Sequence, residues 1–520
     1  MISLKIAFVL LYIASAFLIQ IAHSAKILYL YSIGCKSAAS MHQAISKILL
    51  HNHHELIALS PFQLTENFAN YTDLDVHDDF FEFSDQFLAD EAYIGTYENR
   101  KFTYQIQRSN CENIYRNAKV VEMLNNTRVD LILWETENGE CFLPLLAKFQ
   151  VPIIGVNSGN FLFPDLDGLM GNPVNPSYVP SALSGFSSRM DFFQRLQNTK
   201  DYLLNLLINW YYIREADIFA NKYFKSPPIQ EIYYDRVSLV FSNSHFCFLP
   251  KPTAPGTVDI AGIHIGKPSL LPKEIQTFIE SSTEGVIYLS LGSVTKFSGL
   301  PKHIQDSFVQ ILQKLPYRVI WRHDKPETIP KASKNILVKK WLPQKDILAH
   351  PKVILFISHC GIFSTYEAIY FGVPILAFPV IYDQFTNAAI LENLQVAVTL
   401  DWRTFEQEYL QSSIEDVIEN KKYRDNIEKL SNIFRDRPQS PQNTLLYWVD
   451  YVLRHKHVSH LKPAGAKLPF HQYLLLDVIL FLSVVFIVIS CIIYFILKKL
   501  VSILGNMLRK KSVMKKTKTY

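Results

Sequence analysis

The sequence of 520 residues predicts two α/β domains, each built on a parallel β-sheet covered by helices, followed by one membrane-spanning helix. Short apolar runs alternate with helical patterns from Lys26 and again from Val286, and this alternation is typical of parallel sheets with helices on both faces. The chain between its terminal apolar segments has about 450 residues, which is too long for one hydrophobic core and suits two domains.

Residues 1–24 have the pattern of a secretory signal peptide. A lysine precedes an apolar stretch, and Ala22-His23-Ser24 then provides small residues for cleavage. The expected segments after cleavage are an N-terminal α/β domain at 25–265, a second α/β domain at 266–455 and a juxtamembrane segment at 456–477.

The first α/β domain is predicted from strands and helices that alternate. Lys26–Tyr31 is predicted to be a strand, a helical pattern then runs to Leu50, and Glu55–Leu59 is the next strand. Val129–Trp134 is a later strand, and Glu135 follows it directly. Folds of this kind bind ligands at the carboxyl ends of their strands.

The C-terminal segment is predicted to cross a membrane once. Residues 478–497 are 20 consecutive residues without a charge, and the tail at 498–520 carries eight Lys or Arg and no acid. Positive flanks stay in the cytoplasm, so the protein body is expected in the lumen as a single-pass type I protein. Lys516 and Lys518, at the fifth and third positions from the end, resemble a dilysine signal for the endoplasmic reticulum membrane.

The net charge, the number of cysteines and two sequons bear on the partners, the disulfides and the glycosylation of the protein. The net charge of +5 is produced by the tail, and the remainder carries −3, which excludes a nucleic-acid partner. Six cysteines in a chain of this length do not form a disulfide framework. Asn70 and Asn125 begin Asn-x-Thr sequons and are candidate glycosylation sites in the lumen.

The richest polar motif lies between Trp341 and Gln384. Residues 353–358 are a short apolar run that predicts a buried strand, and helix-forming residues begin at Ser364. His359 and Gly361 are therefore expected on a turn that opens a helix. Backbone amides at such an end carry partial positive charge, which suits a diphosphate.

Individual residues of the motif have simpler explanations. Ser364 and Glu367 fit a capping box, which stabilises a helix start without any ligand. Asp383 can cap a following helix. The joint spacing, rather than any single residue, points to a binding site.

The whole motif resembles the UDP-glycosyltransferase family, and particularly its animal and insect branch. The segments that carry the resemblance are Trp341-Leu342-Pro343-Gln344, Ser358-His359-Cys360-Gly361, Gly372-Val373-Pro374, Asp383-Gln384, the strand and loop Val286–Ser293, Gly171–Pro180 and Phe193–Asn198. The resemblance implies a GT-B fold of two facing Rossmann-like domains, a UDP-sugar donor, a small lipophilic acceptor, and no metal or other cofactor.

The resemblance also implies a set of donor-binding residues. They are Trp341 and Gln344 for the uridine, Glu367 for the ribose hydroxyls, Ser293, His359, Gly361 and Ser364 for the diphosphate, and Asp383 and Gln384 for the transferred sugar.

The acceptor side departs from the family pattern. The resemblance implies a histidine that takes the acceptor proton after the first strand, but that position is Ala38. Glu135 occupies the position of the acid that orients the base. His42 lies four residues after Ala38, on the same face of the expected helix and about 5.4 Å further along its axis. His42 and Glu135 are therefore the catalytic candidates.

Three functions remain open from the sequence. The first is an active enzyme that moves a hexose, with glucose favoured, from UDP to a lipophilic hydroxyl with inversion. The second is a catalytically silent relative that binds UDP-sugar and acts as a subunit or regulator. The third is a membrane-anchored carrier of hydrophobic ligands. Homo- and heterodimers are compatible with each function.

Overall fold

The computed structural model describes residues 24–31, 34–76, 96–137, 139–161, 164–329 and 334–516. The expected signal peptide lies outside the described residues except for Ser24, and so does Lys518 of the dilysine pattern. The described chain forms two compact units, which divide between Pro463 and Ala464.

The first unit contains two parallel sheets, and the first sheet has seven strands. The strands are β1 Lys26–Leu30, β2 Glu55–Ser60, β3 Tyr71–Asp75, β4 Leu131–Glu135, β5 Ile153–Asn157, β6 Val237–Ser242 and β7 Thr257–Asp259. Their order across the sheet is β3-β2-β1-β4-β5-β6-β7, and every pairing is parallel. Strands β2 and β3 extend the sheet on one side of β1, and β4 to β7 extend it on the other, so the switch point lies between β1 and β4.

The second sheet has six strands and repeats the same plan. The strands are β8 Val286–Ser290, β9 Arg318–Arg322, β10 Ile336–Lys339, β11 Val353–Ser358, β12 Ile375–Ala377 and β13 Ala397–Thr399. Their order is β10-β9-β8-β11-β12-β13, again all parallel. This is the strand order of a dinucleotide-binding doubly wound fold, with its switch point between β8 and β11. The predicted pair of Rossmann-like domains is confirmed.

Helices connect the strands and continue to the end of the chain. They are α1 Lys36–His51, α2 Thr96–Arg116, α3 Ala118–Asn126, α4 Leu143–Leu146, α5 Pro164–Met170, α6 Phe192–Ala220, α7 Ile229–Arg236, α8 Lys273–Glu280, α9 Lys302–Lys314, α10 Gln344–Leu348, α11 Ile362–Phe371, α12 Gln384–Asn393, α13 Gln407–Glu419, α14 Lys421–Arg435, α15 Pro441–His455, α16 Phe470–Tyr473 and α17 Leu476–Lys516.

The inner strands are buried on both faces, so apolar residues fill them without alternation, whereas the edge strands β3 and β10 are only partly buried. Leu131 and Ile132 on neighbouring positions of β4 are both fully buried and belong to core clusters on opposite faces. Helix α15 returns from the second sheet and packs against the first, where Leu445 and Val449 join the cluster that contains Met41 of α1. The last helix of the first unit therefore ties the two halves together.

The second unit begins at Ala464 and contains α16 and α17. Helix α17 is long and apolar enough, by length and composition, to cross a membrane over a stretch of 36 residues from Leu476. The expected C-terminal span thus lies in a continuous helix.

The first unit also contains features that bear on the compartment. Cys111 of α2 and Cys141 form a disulfide across 30 residues, with their Cα atoms 6.3 Å apart. The side-chain amide of Asn70 donates to the carbonyls of Leu50 and His54, at 3.1 and 2.7 Å. Asn125 is exposed at the end of α3. A disulfide is typical of an oxidising lumen.

Candidate functional site

A cavity of about 480 Å³ lies between the carboxyl ends of the two sheets. Ala38, in the first turn of α1, lines it from the first half together with Glu137 and Ser158 on loops after β4 and β5, whereas Trp341 and His359 line it from the second half. Both switch points open into the same cavity, and such points are where doubly wound folds bind ligands.

Hydrogen bonds hold the two walls of the cavity against each other. Asn160, after β5, donates its side-chain amide to the Oδ1 of Asn387 on α12 at 3.0 Å. The backbone amide of Gly185 donates to Thr386 Oγ1 on the same helix at 2.9 Å. The two walls of the cleft therefore contact each other directly, so residues of both halves can contact one ligand.

Helix α11 points its N-terminus at the cavity. β11 ends at Ser358, Gly361 is the residue before the first helical turn, and no side chain caps that turn. Ser364 and Glu367 do not form a capping box, because the helix already starts at Ile362 and both side chains accept hydrogen bonds from Gln344. The open amides and the helix dipole leave a position suited to a diphosphate.

His359 occupies a slot between two glycines. A Cβ atom on Gly292 would lie 2.3 Å from His359 Nε2, and one on Gly361 would lie 2.5 Å from it. Gly292 also has a φ of +76°, which favours glycine. Burial, and then the charge of Arg322, lower the pKa of His359 to about 3. A neutral imidazole there can donate one N–H to a phosphate oxygen.

Two residues without glycine's freedom adopt left-handed backbone beside the donor residues. Cys360 has a φ of 65° and follows His359, and Tyr382 has a φ of 53° and precedes Asp383. Such conformations cost about 1 to 3 kcal/mol each and collect at ligand sites. The backbone strain at both turns therefore supports a ligand-binding role for His359 and Asp383, which lie next to them.

The predicted uridine residues are brought together around Gln344. Its side-chain amide donates to Ser364 Oγ at 2.9 Å and to Glu367 Oε2 at 2.7 Å, and its oxygen accepts from Tyr288 at 3.2 Å. Trp341 is 65% exposed at the mouth of the cavity, so one ring face can stack on a base.

Glu367 is a largely buried carboxyl, with its side chain 12% exposed, and it lies beside an imidazole whose side chain is 3% exposed. Burial raises the pKa of Glu367 to about 7, and the hydrogen bond from Gln344 opposes that rise. His264, from the segment between the sheets, places its Nε2 3.9 Å from Glu367 Oε1. Burial lowers the pKa of His264 to about 3, so the imidazole is neutral and adds no charge to the pair.

The two residues predicted to meet the sugar have different environments. Asp383 accepts from the side-chain amide of Asn387 at 2.7 Å, and burial raises the pKa of Asp383 to about 6. Gln384 accepts from the backbone amides of Val380 and Ile381 at 2.9 and 3.0 Å. Asp383 therefore offers a carboxylate to the cavity, while Gln384 fixes the turn that carries it.

Ser293 and Arg322 complete the diphosphate end. Ser293 lines the cavity, and its buried Oγ has no hydrogen-bond partner within the described ranges. Arg322 ends β9, lines the same cavity, and donates to the carbonyl oxygen of Gly292. Arg322 is a site residue that the sequence motifs do not predict; its one signal is a cation at the carboxyl end of a strand.

On the acceptor side, Ala38 lines the cavity but His42 does not. His42 is fully buried in α1, with Nε2 2.6 Å from Glu135 Oε2 and Nδ1 2.5 Å from the hydroxyl of Tyr29. Its ring also stacks on Tyr31 at 4.7 Å. The structure joins the two catalytic candidates as a pair, yet both ring nitrogens are engaged away from the cavity.

Comparison with known proteins identifies related sequences over nearly the whole chain. A sequence profile of the family described as "UDP-glucoronosyl and UDP-glucosyl transferase" matches residues 9–512. UDP-glycosyltransferase UGT5 of Dactylopius coccus is 36% identical over 92% of this chain and 92% of its own length. UDP-glucuronosyltransferase 1A7 of Mus musculus is 32% identical over 87% of this chain and 88% of its own.

Solved structures share the fold at low sequence identity. A UDP-glucosyltransferase from Polygonum tinctorium that glucosylates indoxyl, solved with 3,4-dichloroaniline, superposes with a TM-score of 0.56 at 14% identity. It matches over 84% of this chain and 100% of that structure. The glycotransferase of kitacinnamycin gives a TM-score of 0.55 at 12% identity, over 85% of this chain and 100% of its own. These likenesses establish the GT-B fold of this chain.

Proposed function

The chain belongs to the UDP-glucuronosyl and UDP-glucosyl transferase family, and from that premise we propose that it transfers glucose from UDP-glucose to a hydroxyl of a small lipophilic acceptor, with inversion. The observation that carries the proposal is a single cavity that joins the open N-terminus of α11, His359 and Glu367 to the loops of the first sheet. One donor and one acceptor can meet there.

Each part of the UDP-glucose donor is bound by a different group of the cavity. Trp341 stacks on the uracil, and Glu367 accepts hydrogen bonds from the ribose hydroxyls. The diphosphate lies against the amides after Gly361, with His359 donating to it and Ser293 and Arg322 on the opposite loops. As the bond to the sugar breaks, negative charge grows on the β-phosphate, and these fixed donors stabilise it.

Glucose is favoured over glucuronate because of the charge at the sugar end. Asp383 lines that part of the cavity, and its carboxylate can accept from the hydroxyls of a neutral hexose. The carboxylate of glucuronate would face Asp383 as a like charge, which is unfavourable in a buried site.

The body of the protein is proposed to face the lumen of the endoplasmic reticulum. The disulfide between Cys111 and Cys141 supports an oxidising compartment. The basic tail after α17 supports a cytoplasmic C-terminus. A lipophilic acceptor dissolved in the membrane would be close to an enzyme anchored in this way.

Turnover by the full-length protein tests the function. UDP release is measured with UDP-glucose and with UDP-glucuronate across phenols and alcohols, beside calorimetric binding of each donor. We expect tighter binding and faster release with UDP-glucose, and product of inverted anomeric configuration by NMR. Faster turnover with UDP-glucuronate would overturn the choice of sugar, and absence of binding to either donor would overturn the function.

One observation favours a second function, that of a silent UDP-sugar-binding subunit. Ala38 replaces the expected base, and His42 is buried with both nitrogens engaged. Binding of UDP-glucose without turnover, together with turnover in an Ala38→His variant, would identify the protein as this silent relative.

A further inference from the structure

We propose that Glu137 is the catalytic base of this transferase and that its preferred acceptors are phenols. The proposal rests on the transferase function above. Glu137 lies two residues after β4, at the switch point of the first sheet, and lines the cavity together with Ala38. It thus stands across the switch point from the position where the family's histidine is missing.

Elimination among the residues of the first half supports this assignment. Of the described residues there that line the cavity, Cys35, Lys36 and Glu137 have side chains that titrate. Burial raises the pKa of the Cys35 thiol to about 11, so it holds its proton at neutral pH. A lysine ammonium has no lone pair to accept a proton. A carboxylate is ordinarily ionised at neutral pH and can accept one.

The loop that carries Glu137 is held by the buried pair below it. Glu135 Oε1 accepts from the backbone amide of Glu137 at 2.8 Å and from that of Ser158 at 3.4 Å. Ser158 Oγ in turn donates to Glu137 Oε2 at 3.2 Å. The other oxygen of Glu135 contacts His42. His42 and Glu135 are therefore positioning residues that orient the carboxylate of Glu137.

The reaction step balances without a metal or a further reactant. Glu137 takes the proton of the acceptor hydroxyl while the oxygen forms its bond to the anomeric carbon of glucose. The bond from that carbon to the β-phosphate oxygen breaks, and its electron pair leaves with UDP. The proton on Glu137 then passes to solvent, so the products are the glucoside, UDP and one proton.

A carboxylate base also determines which acceptors react. Carboxyl groups have ordinary pKa values near 4, about two units below that of imidazole, so they are weaker bases. A phenol, with a pKa of about 10 like tyrosine, is far more acidic than an aliphatic alcohol. Proton transfer to Glu137 is therefore more favourable from phenols, and the base matters less as the phenol becomes more acidic.

The test uses full-length protein, UDP-glucose and a series of phenols whose pKa falls with added nitro or halogen groups. The variants are Glu137→Gln and Glu137→Asp, and the matched control is Glu66→Gln, which replaces an exposed carboxylate outside the cavity. The measured quantities are kcat/KM for each phenol, calorimetric affinity for UDP-glucose, and the melting temperature.

We expect Glu137→Gln to lower kcat/KM for unsubstituted phenol by about 100-fold or more, as loss of a general base does. The loss should shrink steadily for more acidic phenols, while UDP-glucose affinity stays within about twofold. Glu137→Asp should retain part of the activity, and Ala38→His should restore turnover to the Glu137→Gln protein. Glu66→Gln should behave like the wild type.

Four results would overturn the proposal, and each can be distinguished from the others. If Glu137→Gln keeps wild-type kcat/KM with unsubstituted phenol, Glu137 is not the base, although the transferase function stands. If the wild-type protein binds UDP-glucose but converts alcohols and no phenol, the acceptor preference fails while the transferase function stands; if it converts neither, both the function and the role of Glu137 fail. An equal loss for all phenols, with a lowered melting temperature, would also overturn the role, since it would indicate damage to the fold.

Discussion

Substitution of Glu367 by glutamine is expected to remove a pH dependence from donor binding. Burial raises the pKa of Glu367 to about 7 in the free protein. Ribose hydroxyls donate to the ionised carboxylate, so the bound state favours that form and lowers its pKa. Affinity should therefore be constant above about pH 7 and fall as the pH decreases below it.

The size of both effects follows from the geometry. One pH unit below the free pKa weakens binding by about tenfold, so the affinity at pH 6 should be about tenfold lower than at pH 8. Glu367→Gln keeps the shape and the contact with Gln344 but loses a charged acceptor. Hydrogen bonds to charged groups contribute about 1.5 to 3 kcal/mol, so the variant should bind about 10- to 100-fold more weakly at pH 8.

Calorimetric titration with UDP-glucose measures this cleanly. The diphosphate of UDP-glucose is esterified at both ends, whereas the terminal phosphate of UDP titrates near pH 6 and would confuse the result. Asp383→Asn serves as the matched control, because burial raises the pKa of Asp383 only to about 6. That variant should retain the fall in affinity that begins near pH 7.

A flat pH profile for the wild-type protein would refute the reasoning, since it would mean that Glu367 does not change protonation in this range. A Glu367→Gln variant with the wild-type slope would refute it too, because another group would then be titrating.

Other parts of the structure give shorter predictions. Gly292→Ala should weaken UDP-glucose binding at least about tenfold, measured by calorimetry, because the added methyl group would collide with the imidazole of His359. It should also lower the free energy of unfolding by about 1 kcal/mol or more, measured by thermal melting, because the φ of +76° is left-handed. Replacing Cys111 and Cys141 by serine should lower the free energy of unfolding by about 3.5 kcal/mol for a closed loop of this length, a difference that a reducing agent removes. His42→Ala should cost about 3 kcal/mol in denaturant unfolding while UDP-glucose affinity is kept, because it leaves a buried carboxylate without its partner. Asn125→Gln should abolish the mass shift on peptide-glycosidase treatment, because Asn125 is exposed on a body proposed to face the lumen, whereas the side-chain amide of Asn70 is held by two backbone carbonyls.

The sequence predicts the strands that are buried on both faces, because each of them is a continuous run of apolar residues. Val353–Ser358 was expected as a strand and is β11 with the same bounds. The edge strand β3, Tyr71–Asp75, was not anticipated, because its two aspartates break such a run and it is only partly buried. The return of α15 to the first sheet has no local signal either. Leu445, Val449 and Val452 define an apolar face, but not the sheet that it covers.

The candidate site also has residues that the sequence predicts and residues that it does not. Residues of the donor half are close in sequence, because one strand, one turn and one helix supply most of them, so their spacing alone predicts a site. Arg322 ends strand β9 and His264 lies in the segment between the two sheets, and only the packing of the second sheet and that segment brings them to His359 and Glu367. No spacing rule connects such positions.

His42 illustrates what a helical spacing argument leaves out. In a doubly wound fold the helix after a strand begins at the carboxyl end of the sheet and runs back along its face. A residue one turn further along α1 than Ala38 is therefore one turn deeper in the core, not one turn closer to the cleft. The full burial of His42 and its contacts with Tyr29 and Glu135 follow from that direction.

The two halves of the cleft share one plan, and that plan explains how a base can be relocated. In each half, the loops after the first and fourth strands flank the same switch point, between β1 and β4 or between β8 and β11. The second half carries its imidazole, His359, after β11. The first half has Ala38 after β1, but Glu137 follows β4 on the other side of the crevice. Because both positions line one cavity, the absence of a base from the first turn of α1 can be offset by a carboxylate on the loop after β4. The phenol series on Glu137 variants tests that exchange directly.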